Sequence, residues 1–320
     1  MVDPRRHERP HRHRRTGTHL NPRPHPRPEE HHRPEPRAGG EPPSTKPPVR
    51  VPTPPGRGRG TLPSLRLINT DSDPHWFSLL GTPFRVVAVD GRDLNEPDDI
   101  EEQGLRLPAG GRYDVTFTMP EGPVALLIDH DPDGGLRVRP EDAASEEMPD
   151  GVGDTRAWPD LDFFDYGEPA ELPFDRDGPF DREFDMVLDR GLARVGGVPA
   201  YAQTVNGYAF PTIPTQLVDA GDLVLLTLVN RSFEPHPWHL HGHTVYVLER
   251  NGQVPSGSPI PHDTFDVLPG ETWVVGFQAS NPGLWMNHCH DLRHAHDGMM
   301  LRLDYTGISS PFDEEHHQGH

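Results

Sequence analysis

The chain has 320 residues with 40 prolines, 32 glycines and only 32% hydrophobic residues, too many breakers and too little apolar content for the whole length to pack into one core. The net charge of −20 is unevenly spread: residues 1–60 hold 14 Lys+Arg against 6 Asp+Glu, a balance of +8, which leaves −28 on the remainder. That acidic remainder argues against nucleic acid as a partner, and no stretch approaches the 18 or so apolar residues of a membrane span.

Residues 1–60 carry 15 prolines and 7 histidines but almost no large aliphatic side chains, so they are expected to be a disordered tail. Arg5-Arg6 and Arg14-Arg15 are not followed by an apolar run, so no export signal is visible and localisation stays open. From residue 61 to about 140 the pattern changes. "LPSLRLINT", "HWFSLL", "FRVVAV", "RYDVTFTM" and "VALLID" read as short strands separated by turn-forming segments. In the fourth of these, Tyr113, Val115, Phe117 and Met119 alternate with polar neighbours, as in a half-buried strand. Residues 141–180 read as an acidic linker, with the aromatics of "LDFFDYG" expected to pin it to a domain surface. A second run of strands covers 181–308, and 309–320 is a flexible tail ending in "EEHHQGH". No long 3.6-residue period appears, so the expected class is all-β, two Greek-key sandwiches or barrels.

Two histidine clusters lie in the second block, "HPWHLHGH" from His236 and "NHCHDLRHAHDGMM" from Asn287. Side chains alternate along a strand, so His239 and His241 share one face, and His288 and His290 face away from Cys289, the only cysteine. One strand can therefore serve two centres. On the thiol side, two histidines, one cysteine and a weak axial methionine are the donor set of a blue-copper site. Cys289, His294 and Met299 are candidates, with the second histidine supplied from the other cluster, headed by His236. On the imidazole side, the two His-X-His pairs suit copper, and zinc or iron less distinctively. His243 reads as structural, Met300 as core, and Trp238 and Trp285 as packing aromatics or a shield for the metal.

Together "HPWHLHGH" and "HCHDLRHAHDGMM" resemble the two C-terminal copper motifs of multicopper oxidases, the laccase and bacterial copper-oxidase family, in spacing and in order. "AQTVNGYAFPTI" is similar to the lead-in of that family's last cupredoxin domain, and "LRLINTDSDPHWFSLLGTPFRVVAVDG" to its middle domain, so the likeness covers about residues 62–308. The resemblance implies two cupredoxin-like domains, the first expected to be incomplete. It implies a type 1 copper on His236, Cys289, His294 and Met299, a type 2 copper on His239, and a type 3 pair on His241, His288 and His290. It also implies oxidation of a phenolic or metal-ion reductant at the type 1 copper, with electrons passing along His288-Cys289-His290 to a trinuclear cluster that reduces dioxygen to water. The family uses eight histidines there, four of them in an N-terminal domain. In residues 1–235 the only His-X-His pair is His11-Arg-His13, in the tail, and the part after the tail has only the single histidines His75 and His130. The expectation is therefore a truncated or frame-shifted oxidase, with residues 1–60 resembling a GC-rich strand read out of frame. The missing ligands would come from an N-terminal cupredoxin domain or another subunit. Two alternatives stand beside it: a type 1-only electron-transfer or copper-binding protein, and an inactive fragment.

Overall fold

In the computed structural model, residues 62–138, 149 and 153–310 are described. The tail expected over 1–60 and nearly all of that expected over 309–320 lie outside them. The first sandwich comprises β1 (Ser64–Ile68), β2 (His75–Leu80), β3 (Phe84–Val89), β4 (Arg92–Asp93), β5 (Gly104–Leu107), β6 (Arg112–Phe117), β7 (Val124–Ile128) and β8 (Asp131–Val138). They form two four-stranded sheets, ordered β1-β6-β3-β4 and β5-β2-β7-β8. The alternation read in "RYDVTFTM" is real: along β6 Tyr113, Val115 and Phe117 are buried and the residues between them half-exposed. Those side chains meet Phe77, Leu79 and Leu126 of the other sheet in one core. Burial of such side chains is worth about 1.5–3 kcal/mol each before entropy is counted.

The second sandwich comprises β9 (Arg182–Val195), β10 (Val198–Val205), β11 (Gln216–Val218), β12 (Leu223–Asn230), β13 (His236–Leu240), β14 (Val245–Arg250), β15 (Pro261–His262), β16 (Thr264–Val267), β17 (Thr272–Gln278), β18 (Leu284–Cys289) and β19 (Met300–Tyr305). A six-stranded sheet ordered β10-β9-β12-β17-β14-β15 faces a five-stranded sheet ordered β11-β19-β18-β13-β16. In β12 every second residue is buried, so one side of "LVLLTLVN" supplies core and the other does not. The non-sequential strand order brings β13 beside β18, with Trp238 opposite Cys289 and His239 opposite His288. That pairing assembles the two histidine clusters.

The described part of the acidic segment does more than rest on a surface. Two short 3₁₀ turns, Thr155–Ala157 and Phe163–Asp165, are each capped by an aspartate side chain, Asp154 and Asp162. Phe164 joins the core of the second sandwich and Tyr166 that of the first, at 8% and 3% exposure. The Tyr166 hydroxyl accepts from the Val86 N–H and donates to the Asp98 carbonyl. The expectation of a surface-pinned connector is thus corrected, because large aromatics stabilise most when their whole area is withdrawn from water. Among the described residues no helix is long and apolar enough to cross a membrane.

Candidate metal centre

β13 ends at Leu240 and β18 at Cys289, so His241 and His290 lie one residue beyond their strands. The alternation nevertheless persists. His290 donates its N–H to the Pro237 carbonyl at 2.6 Å, which carries the antiparallel pairing past the strand end.

On the core side, the Cys289 Sγ lies 3.7 Å from His236 Nδ1 and 3.6 Å from His294 Nδ1. Among the described residues, His236, Cys289 and His294 form the one group whose donor atoms all lie within 4.8 Å of one another, and all three are buried. The segment after Cys289 is shaped to return His294 to it. Asp291 caps a five-residue helix, α1 (Leu292–His296), by accepting from the Arg293 and His294 N–H groups. Gly298 has φ +120, and a Cβ there would lie 2.6 Å from the Ala209 Cβ, so the turn closes only without a side chain. Met299 then receives the Cys289 N–H at its carbonyl, 3.1 Å away, and is fully buried. Met300, expected as core, is only half-buried, and His296 is exposed.

The outer nitrogens of the two imidazoles are also placed. His236 Nε2 lies 2.8 Å from Ser232 Oγ, and that hydroxyl is 2.9 Å from the Asn230 Oδ1 and 3.1 Å from the Glu234 carbonyl. Both of those oxygens are acceptors, so Ser232 donates its proton to them and accepts from His236 Nε2–H. Nδ1 is left with its lone pair toward the thiol. His294 Nε2 faces Asp291 and Glu234 at 3.6 and 3.7 Å. Burial lowers the His236 pKa from 6.5 to about 4, with the neighbouring His294 adding to the shift, so His236 is neutral at pH 7. Burial pushes the Cys289 thiol well up, so it holds its proton until a cation displaces it. Two Nδ1 atoms facing a buried thiol fit a soft, borderline metal such as copper, and the groups behind the two imidazoles set the ligands in advance.

On the other side of β13 and β18 the four remaining imidazoles gather. The His239 ring lies 4.6 Å from that of His241 and 5.6 Å from those of His288 and His290, while His241 and His288 face each other Nε2 to Nε2 at 3.0 Å. His239 Nδ1 lies 2.9 Å from the Asp263 carbonyl and 2.8 Å from Thr264 Oγ1. His288 Nδ1 donates to the Cys289 carbonyl at 2.7 Å. In both rings Nε2 is thereby left as the free lone pair. Burial lowers the His288 pKa to about 4, and it lowers those of His241 and His290 as well. The buried His290 Nδ1 has no hydrogen-bond partner among the described residues. His241 and His288 share one proton across their Nε2 pair and the His290 Nδ1 stays unpaired among the described residues, an arrangement a metal would relieve, so this face also fits a metal. Its donors do not close on one point, as those of the thiol site do. His243 stands apart. It bonds the His241 carbonyl through Nδ1 and the Tyr305 hydroxyl through Nε2, a structural role.

Ser232 and Asn230, four and six residues before His236, were not singled out in the sequence, although a serine or asparagine beside a ligand is a legible cue. Asp263 and Thr264 behind His239 carry no such cue, because they lie 24 and 25 residues away in the chain and meet it only through strand pairing.

Residues 189–307 match the family described as Multicopper oxidase. The chain is similar to Laccase-2 of Fomitopsis schrenkii, 42% identical over 281 residues, covering 71% of this chain and 50% of that one. It is also similar to the multicopper oxidase MmcO of Mycobacterium tuberculosis, 28% identical over 246 residues, covering 75% and 46%. Among solved structures, that of Fet3p, a multicopper oxidase that functions in iron import, aligns with TM-score 0.61 and 21% identity over 78% of this chain and 56% of that one, a likeness of fold. The chain spans about half the length of the curated relatives it matches.

Proposed function

The chain belongs to the multicopper oxidase family, and from that premise we propose that it is the C-terminal part of a copper-dependent oxidase. It couples one-electron oxidation of a phenolic or metal-ion reductant to reduction of dioxygen to water. The observation that carries this reading is the buried convergence of His236, Cys289 and His294, with four further imidazoles gathered on the reverse face. His236, Cys289, His294 and Met299 would hold a copper ion, which would supply one-electron redox chemistry there.

The protein's own groups do the rest. His236 and Cys289 are 0% exposed and keep water from the thiol, while the His294 side chain keeps 11% exposure and is the edge a reductant meets. His288 and Cys289 are adjacent in the chain and joined again by the His288 Nδ1–H to Cys289 carbonyl bond, a short bridge between the two faces. His239 would serve a type 2 copper, and His241, His288 and His290 a type 3 pair. The other ligands of such a cluster would come from a further cupredoxin domain or a second subunit.

Copper reconstitution tests the reading. An intense visible thiolate-to-copper band, several coppers per chain and oxygen uptake with a phenol or ferrous iron support it. One copper with the band and no oxygen uptake would point instead to an electron-transfer module, a reading favoured by the thiol site being the only closed donor group among the described residues. No band in copper-loaded protein would sink both.

A further inference from the structure

The first sandwich reaches the imidazole face of the second. Asp90 Oδ2 accepts the backbone N–H groups of Asp263 and Thr264 at 2.9 and 3.0 Å. Arg112 directs two guanidinium nitrogens to the two carboxylate oxygens of Asp263, at 2.5 and 2.6 Å. The same guanidinium lies 3.3 Å from Asp90 Oδ1, so it sits between two carboxylates that would otherwise repel each other.

Asp263 and Thr264 are the residues that hold His239. The Thr264 hydroxyl lies 2.9 Å from Asp263 Oδ1, so its one proton goes to the carboxylate and its lone pair faces His239 Nδ1. The Asp263 carbonyl is the other neighbour of that nitrogen. Both neighbours are acceptors, so a single ring proton on His239 sits on Nδ1 and leaves Nε2 as the lone pair on the opposite edge of the ring. The order is Arg112 to Asp263 to Thr264 to His239, and it runs from one sandwich to the other.

Two residues before Arg112, Gly110 meets the neighbouring ring. Its φ is +80, and a Cβ there would lie 2.6 Å from His290 Cδ2. The His290 imidazole therefore packs on bare backbone. The Gly110 carbonyl also accepts from Arg112 Nη1 at 3.2 Å, which ties this turn to the charge cluster.

We propose that Arg112 is a positioning residue for the imidazole face, holding His239 in its Nδ1–H tautomer through Asp263 and Thr264, while the Gly110 turn seats His290 beside it. As a statement about copper this rests on the reading of those imidazoles as ligands; as a statement about the tautomer it does not. The first sandwich then forms the outer wall of the histidine site.

The test begins with metal-free protein labelled with ¹⁵N-histidine, whose NMR spectrum reports which ring nitrogen of His239 is protonated. The wild type should show Nδ1–H alone. Arg112→Gln should leave a mixture of tautomers, and Arg112→Lys, which restores the charge between Asp90 and Asp263, should recover the wild-type signal. On copper titration followed by EPR, Arg112→Gln should weaken binding at the imidazole face about ten- to a hundred-fold, as removal of an outer hydrogen-bond partner typically does. The thiolate band from Cys289, on the opposite face, should be unchanged. Gly110→Ala should weaken imidazole-face copper binding without altering the His239 signal.

An unaltered His239 tautomer in Arg112→Gln overturns the proposal. So does loss of the thiolate band together with the tautomer, which would make Arg112 a general strut between the sandwiches. If Arg112→Gln does not fold, Arg112→Lys decides: a folded lysine variant with mixed tautomers also overturns it. Altered tautomers in a protein whose imidazoles bind no copper would refute the metal reading of that face and leave the positioning role standing.

Discussion

His288 donates from Nδ1 to the carbonyl oxygen of Cys289, 2.7 Å away, while the Cys289 Sγ on the other side of the strand lies 3.7 Å from His236 Nδ1. One peptide segment therefore belongs to both donor clusters. Alternation in β18 separates the two side chains, and the hydrogen bond fixes which nitrogen of His288 is left for the imidazole face.

Replacing the thiol should extinguish the proposed copper colour. In Cys289→Ser the hydroxyl is a far poorer copper ligand than a thiolate, so the intense visible band should vanish from copper-loaded protein. A surviving band would mean that another group carries it.

The axial position should tune the site without making it. Met299 is fully buried and tied to Cys289 through its backbone. Met299→Leu should retain the copper and raise its reduction potential, because loss of a weak thioether bond disfavours Cu(II). Redox titration that finds the potential unchanged or lower would rule out Met299 as a ligand.

Acid should destabilise the metal-free protein through its buried imidazoles. Burial holds His236 and His288 near a pKa of about 4, against 6.5 for an exposed imidazole. Between those values the unfolded chain binds more protons than the folded one. Their stabilisation is therefore complete above about pH 6.5 and falls as pH drops toward 4, by up to roughly 3 kcal/mol for each ring. Urea midpoints measured at pH 7 and pH 5 should differ, the lower one at pH 5. A flat profile between those two pH values is the contrary result.

The acidic segment should matter to stability. Phe164 packs edge-on against Trp273 with ring centroids 6.4 Å apart, and the Arg250 guanidinium lies 4.1 Å from its ring centroid. Phe164→Ala should cost about 3–5 kcal/mol, the usual range for deleting a buried aromatic ring. Equilibrium denaturation showing less than about 1 kcal/mol would restore the surface-connector reading.

How much of this was legible depends on the range of the interaction. Strands such as "RYDVTFTM" and "LVLLTLVN" announce themselves because the period-2 pattern is local and the core needs it. β8, "DPDGGLRV", gave little sign, since its residues are exposed or half-buried and it is held by pairing with β7. The insertion of Phe164 and Tyr166 into separate cores was equally hidden, because an aromatic beside aspartates reads alike whether it lies on a core or within one.

The sequence by itself determined the donor types, their order along the chain and the opposition of Cys289 to its flanking histidines, because alternation along a strand needs no tertiary information. Only the tertiary structure decided which distant groups meet. The register of β13 against β18 brings His236 to a thiol 53 residues away. The docking of the first sandwich sets Arg112 on Asp263, 151 residues on. Such contacts depend on which strands pair and on how the sandwiches dock, and backbone pairing groups are the same at every residue and leave no mark in the order of side chains.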